Sequence, residues 1–168
     1  GVTIGSSGTL KGVVGTTDNI KVTASFQDGT SIAISSSGQT SSSWISPSSL
    51  LRFSSAVETA VTVSGEGTVE LQGNYHDAVE LSVVDVCGSG MTASHDSYAN
   101  LEAEYHDVDL GSVTGAPFGS VSAGQTFSVD VRVQGSISYD ITAFEIVLTF
   151  DSSVVRVLSD ADCEDGND

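Results

Sequence analysis

Ten of the chain's 22 acidic residues crowd into two short stretches, and hard cations are what such stretches could hold. The first contains Asp96, Glu102, Glu104, Asp107 and Asp109; the second contains Asp160, Asp162, Glu164, Asp165 and Asp168. Calcium takes several oxygens, best supplied by carboxylates at alternate positions with backbone carbonyls between them. The candidate ligands are therefore Glu102, Glu104, Asp107 and Asp109 in EAEYHDVD, and Asp160, Asp162, Glu164 and Asp165 in DADCEDGND. The tail departs from EF-hand spacing, because Asp165 stands where the turn glycine belongs. A solvated acidic strip is the plainer reading of both stretches.

Nucleophilic chemistry has weaker support. His76, His95 and His106 are each followed by an aspartate, but a Ser/His/Asp catalyst also needs an activated serine. No Gly-x-Ser-x-Gly elbow is present, and 29 serines place one near any histidine by chance. Glu102 and Glu104 flank no aromatic-rich cleft that would hold a sugar for a carboxylate pair to cleave. Trp44 is the one indole, and packing accounts for it. The chain is expected not to be an enzyme. Cys87 and Cys163 lie 76 positions apart without the paired spacing of a zinc site. They read as two thiols or as a disulfide, which in the loop-entropy model would contribute about 4.5 kcal/mol. Abundant Ser and Thr with few Lys favour an oxidising, extracellular setting, and so the disulfide.

The elements that must position these residues follow from composition. In 168 residues there are 22 Val, 15 Thr, 29 Ser and 18 Gly against 9 Leu, a mixture suited to short strands joined by turns. The net charge of −17, with five bases, disfavours nucleic acid, whose phosphates need Lys and Arg. No apolar run approaches the roughly 18 residues of a membrane helix, so no membrane insertion is expected in this segment. The charge is lopsided, at −2 over residues 1–75 and −15 over residues 76–168. Gly1 is followed by no charged-then-apolar leader, as in a processed chain or a piece of a longer one.

Period-two alternation predicts strands near 20–26, 60–63, 68–72, 78–84, 127–134, 142–150 and 154–158. Asp28-Gly29 marks a hairpin turn before a return strand that starts at Ile32 and Ile34. Residues 35–49 form a Ser-rich loop whose Ser41, Ser42, Ser43, Ser46, Ser48 and Ser49, near Pro47, are candidate O-glycan sites or simply polar. No Asn-x-Ser/Thr sequon occurs.

The segments VTASFQDGT, FSSAVETAVTVSGEGTVELQG and AVELSVVD resemble the bacterial immunoglobulin-like group 2 module of invasin-type adhesins. Phe53-Ser54-Ser55 stands where that family carries Trp-Ser-Ser, after a longer Ser-rich insertion. The resemblance implies a seven-strand sandwich over residues 16–87 and no catalysis. Further on, GQTFSVDVRVQGS and ITAFEIVLTFDSSVVRV resemble the opening half of a cohesin-type or carbohydrate-module-type sandwich. That implies a partial module over residues 124–168, joined by an acidic, Gly-containing connector at 88–123. The expected fold is all-β, with two tandem sandwich modules.

Half a sandwich leaves an apolar face and unpaired edges. Residues 1–15, with Val2, Ile4, Leu10, Val13 and Val14, supply a segment with no place in the immunoglobulin-like pattern. Together they predict strand donation from one copy to the next, an open head-to-tail assembly. The plainer alternative folds residues 1–15 back into their own chain. The expected function is a structural repeat of an extracellular filament or surface-adhesive protein. The alternative is an extracellular module that binds carbohydrate, such as glycans, or protein.

Overall fold

The computed structural model describes residues 2–34, 46–104, 107–133 and 145–157. It is nearly all β, and it divides into two units, Gly1–Ser136 and Ile137–Asp168. In the first unit the strands run β1 (Val2–Gly5), β2 (Thr9–Gly12), β3 (Thr17–Asn19), β4 (Lys21–Ser25) and β5 (Ser31–Ile34). One short helical turn, α1 (Pro47–Leu50), then leads into β6 (Leu51–Ser55), β7 (Val61–Val63), β8 (Thr68–Leu71) and β9 (Ala78–Asp85). The longest strand follows as β10 (Thr92–Leu101), before β11 (Val108–Leu110) and β12 (Val131–Val133).

The expected strands over 20–26, 60–63, 68–72 and 78–84 form as β4, β7, β8 and β9. Strand β9 shows why: Val79, Leu81 and Val83 are all buried, while Glu80, Ser82 and Val84 point away. The hairpin at Asp28-Gly29 also forms. Phe26 N–H donates to Thr30 O at 2.8 Å, Asp28 Oδ1 accepts from Thr30 N–H at 2.9 Å, and β4 pairs antiparallel with β5.

The sheets are ordered β2-β10-β9-β6, β1-β4-β5 and β3-β8-β7, with β11-β12 as a separate pair. Strands β3 and β4 are separated only by Ile20, which is buried and donates its N–H to Gly67 O at 2.8 Å. A single apolar cluster joins the first three sheets. It takes Leu10 from β2, Val22 from β4, Leu51 from β6, Val61 from β7, Val69 and Leu71 from β8, the β9 trio and Ala99 from β10. Such continuity is what face-to-face packing of amphipathic sheets produces. Gly67 has a φ of +81°, and a Cβ there would stand 3.1 Å from the Phe53 ring, so the β7–β8 turn and β6 approach closely only over glycine.

Three sequence expectations need correction. First, residues 1–15 are not an unpaired donor. Strand β1 pairs antiparallel with β4, with Ile4 opposite Val22, and β2 pairs in parallel with β10, with Leu10 opposite Ala99. Leu10 is buried, Val2 and Ile4 pack against the core, and Val13 and Val14 are exposed just after β2. The sheets thus already have a place for the segment: β10 offers β2 a free edge. Second, residues 88–123 are not a connector throughout. They contain β10, which lies between β2 and β9, so the first module spans about residues 2–101 and holds more than seven strands.

Third, the strongest alternation in the sequence yields little sheet. Of the strand expected over 127–134, residues 127–130 are in no strand, Val131–Val133 pairs with β11 as Val131 opposite Leu110, and 134 lies outside the described residues. In the second unit, residues 145–150 and 154–157 are in no strand, and 142–144 and 158 lie outside the described residues. A strand is held by its neighbours' backbone groups, and among the described residues these segments have alternation without a paired strand. Their side chains stay open: Val147 is 82% and Val154 is 79% exposed.

Candidate functional site

The acidic stretch after β10 does not gather into a cation cage. Strand alternation sends Glu102 outward, where its carboxylate meets Lys11 Nζ at 2.8 Å. Asp107 Oδ1 turns back to accept the N–H of Val108 at 2.7 Å, and Glu104 is exposed. Asp109 sits on β11 opposite Arg132 on β12, is buried, and is held by the Arg132 guanidinium. Asp96 lies earlier on β10, exposed and opposite Glu80. Among the described residues, no group of three or more His, Cys, Asp or Glu is placed to hold a metal ion. Asp160, Asp162, Glu164, Asp165 and Asp168 lie outside the described residues.

What the region does build is a junction. Asn100 is fully buried on β10, and its Nδ2 donates to Ser112 O at 2.8 Å and Gly115 O at 3.1 Å. One amide thus ties the loop after β11 back onto the central sheet. The loop reverses at Gly111, where φ is +96° and a Cβ would lie 2.1 Å from Pro117 O. Only glycine fits there. Ser112 N–H donates to the same Pro117 carbonyl at 2.7 Å, and Gly111 N–H donates to Asp130 O at 2.8 Å. Asn100→Ala would strand two carbonyls and open a cavity, at a cost of about 1–3 kcal/mol. We expect amide exchange of residues 111–118 to accelerate in that variant; unchanged exchange there would contradict the role given to Asn100.

Carboxylates elsewhere close loops through hydroxyls and N–H groups. Asp18 Oδ2 accepts from Ser7 Oγ at 2.6 Å and Ser7 N–H at 3.2 Å, which ties the β1–β2 turn to β3. Partial burial pushes the Asp18 carboxyl up, but the Ser7 hydroxyl, the N–H groups of Asn19 and Ser7, and the charge of Lys21 together hold it below its ordinary value. Glu66 accepts from Ser46 Oγ at 2.6 Å and Ser48 Oγ at 2.6 Å, and these two hydroxyls hold its carboxyl low. Two of the candidate O-glycan serines are thus engaged; Ser49 is exposed, and Ser41, Ser42 and Ser43 lie outside the described residues. Asp85 accepts from Ser89 N–H and Oγ, both at 2.9 Å, and from Met91 N–H at 3.1 Å, which lowers it as well.

A lowered carboxyl stabilises the fold above its unfolded value and loses that contribution as pH falls through the folded one. Comparison with Asp18→Asn isolates the effect from the relief of the −17 net charge. The variant is expected to melt below the wild type at neutral pH, and the gap is expected to close as pH drops beneath the ordinary 3.8 of aspartate. A gap of constant size would show that Asp18 is not held as described.

The remaining candidates are scattered. The His76 ring lies against Tyr75 at a tilt of 49° with centroids 4.5 Å apart, and Asp77 Oδ1 accepts the N–H of Ala78. His95 is half-buried on β10 opposite Leu81, with its Nε2 shielded from solvent. Cys87 is exposed in the turn between β9 and β10, whereas Trp44, His106 and Cys163 lie outside the described residues. No protein-family model matches the chain, and no curated protein matches it.

Residue type and spacing in the sequence did not point to the Asn100 anchor or the Asp–Ser clips. Asp18, Asp85 and Glu66 do each have a nearby turn glycine or serine cluster. That signal says a loop is closed but leaves its partner unnamed.

Proposed function

We propose that this chain is a structural module of an extracellular filament or surface-adhesive protein. In this reading residues 2–101 are an immunoglobulin-like sandwich, and the segments beyond β11 join neighbouring units. The observation that carries it is the exposed alternation beyond the closed core. Phe127, Val129 and Val131 are 46%, 37% and 40% exposed, and Leu148 and Phe150 are 52% and 47% exposed. Such side chains cost free energy in water and are removed from it when added strands complete a sheet.

The sheet orders support the immunoglobulin-like part. The sheet β2-β10-β9-β6 shares one apolar core with the sheets β1-β4-β5 and β3-β8-β7, which the β3–β4 run links, and sheets around one core fit the sandwich plan of that class. Strand complementation in this reading runs through the described segments 127–133 and 145–157, since residues 1–15 are engaged in their own sheets. Abundant Ser and Thr, with few Lys, fit an extracellular surface. The carboxylates of Glu102 and Asp109 already have basic partners, so this role does not require calcium at the junction.

Sedimentation velocity of the full chain over a concentration series tests the proposal. Open-ended association that rises with concentration, with filaments visible by electron microscopy, is expected. A chain that stays monomeric throughout and instead binds defined sugars on a glycan array would overturn it in favour of a carbohydrate-binding module.

A further inference from the structure

We propose that β2 and β10 form a mechanical clamp that resists extension of the chain between its ends. The inference rests on the structural role proposed above, but its geometry stands on the first unit alone. Strand β2 is the second strand from the N-terminus, and β10 is the last strand of the apolar core. They pair in parallel over Thr9–Gly12 and Tyr98–Leu101. Tension on the N-terminal side enters the ladder at Thr9, and tension from the C-terminal side enters at Leu101. In a parallel pair these are opposite ends. The two strands are therefore pulled along their axes in opposite directions, and every inter-strand bond is loaded at once. An antiparallel pair would present both loaded ends together, and its bonds would open one at a time.

Other contacts reinforce this ladder. Tyr98 N–H donates to Gly8 O at 3.1 Å and Glu102 N–H to Gly12 O at 2.8 Å, so hydrogen bonds extend past both ends of the paired residues. Lys11 and Glu102 add an ion pair across the strands at 2.8 Å. Leu10 and Ala99 are opposite one another and buried, which keeps water from replacing the bonds between them. The far side of β10 is held too: Leu101 N–H donates to Asn74 Oδ1 at 2.6 Å, and Tyr75 N–H donates to Ala99 O at 3.3 Å. Strand β10 therefore cannot slide without breaking contacts on both flanks.

The exposed Cys87 provides the control. It lies in the turn that enters β10 from its N-terminal end. Tension between the N-terminus and Cys87 loads β2 and β10 from the same end and unzips the ladder. The experiment is single-molecule extension of the full chain carrying Cys163→Ser, held by an N-terminal tag and by either a C-terminal tag or the Cys87 thiol. Strand β1 is in the load path in both arms. The unfolding force is expected to be several-fold higher with the C-terminal tag than through Cys87. Glu102→Pro, which removes one ladder bond and the ion pair, is expected to lower the force in the first arm and leave the second unchanged.

Equal forces in the two arms, or a Glu102→Pro variant as strong as its parent in the first arm, would overturn the clamp. These outcomes are separable from those for assembly. A chain that associates into filaments yet shows equal forces refutes the clamp alone. One that resists extension but stays monomeric and binds sugars refutes the assembly role alone.

Discussion

Removal of residues 1–15 is expected to abolish cooperative unfolding of the first module. The deletion takes away β1 with its ladder to β4, and β2 with its ladder to β10. It also removes the buried Leu10 and the partly buried Val2 and Ile4 from the core. Loss of these three apolar contacts alone costs on the order of 5 kcal/mol, comparable to the whole stability of a small domain. The edge of β10 that remains carries unpaired backbone groups beside the buried Ala99 and Asn100, and is a template for aggregation. Thermal melts followed by circular dichroism check this. A truncated chain with a native-like melt would mean that residues 1–15 are dispensable to their own sheets, and would restore them as candidates for donation between copies.

Leu71→Ala should be the most damaging single truncation in the core, with Val147→Ala its inert counterpart. Leu71 is fully buried on β8, among residues drawn from the opposing sheet, and its backbone is fixed by Gly15 N–H and Thr16 O, each at 2.9 Å. Neighbours so constrained cannot collapse into the space left by three carbons, so the cost should reach about 2–5 kcal/mol. For a module of this size, that lowers Tm by roughly ten degrees or more. Val147 is 82% exposed, and its truncation should stay within about 0.5 kcal/mol. Comparable losses from the two substitutions would mean that the core is not where the sheets place it.

The two examples also show what the sequence could and could not reveal. Strands β4, β7, β8 and β9 announce themselves because Val, Ile and Leu alternate with polar residues, and the alternation survives as buried and exposed faces. The central strand of the sandwich does not. The inward positions of β10 are Ala93, His95, Ser97, Ala99 and Leu101, too small or too polar to contrast with their outward neighbours. Strand β2 is hidden for a related reason, since Leu10 alone marks its inward face. Residues 127–133 fail in the opposite sense: perfect alternation, but among the described residues a paired strand only where Val108–Leu110 reaches them. Periodicity records that a segment can lie in a sheet, and the backbone of another strand decides whether it does.

The acidic stretch teaches the same lesson about sites. Glu102, Glu104, Asp107 and Asp109 are close in sequence, which suggested a cage. Alternation and the turn before β11 then separate them, and Lys11 and Arg132, both remote in sequence, take two of the four. Neither base could be matched to its acid without the register of the strands between.

In the proposed assembly, a sandwich over residues 2–101 is followed by sheet-forming segments that find partners in another unit. Hydrogen exchange of the full chain, read by mass spectrometry at low and high protein concentration, tests it directly. Peptides from β9 and β10 should be protected equally at both concentrations, because their ladders lie within one chain. Peptides covering 127–130 and 145–157, which lie in no strand of their own chain, should exchange freely when dilute and become protected as the chains associate. Equal exchange of those peptides at both concentrations, in material shown to be associated, would contradict the account.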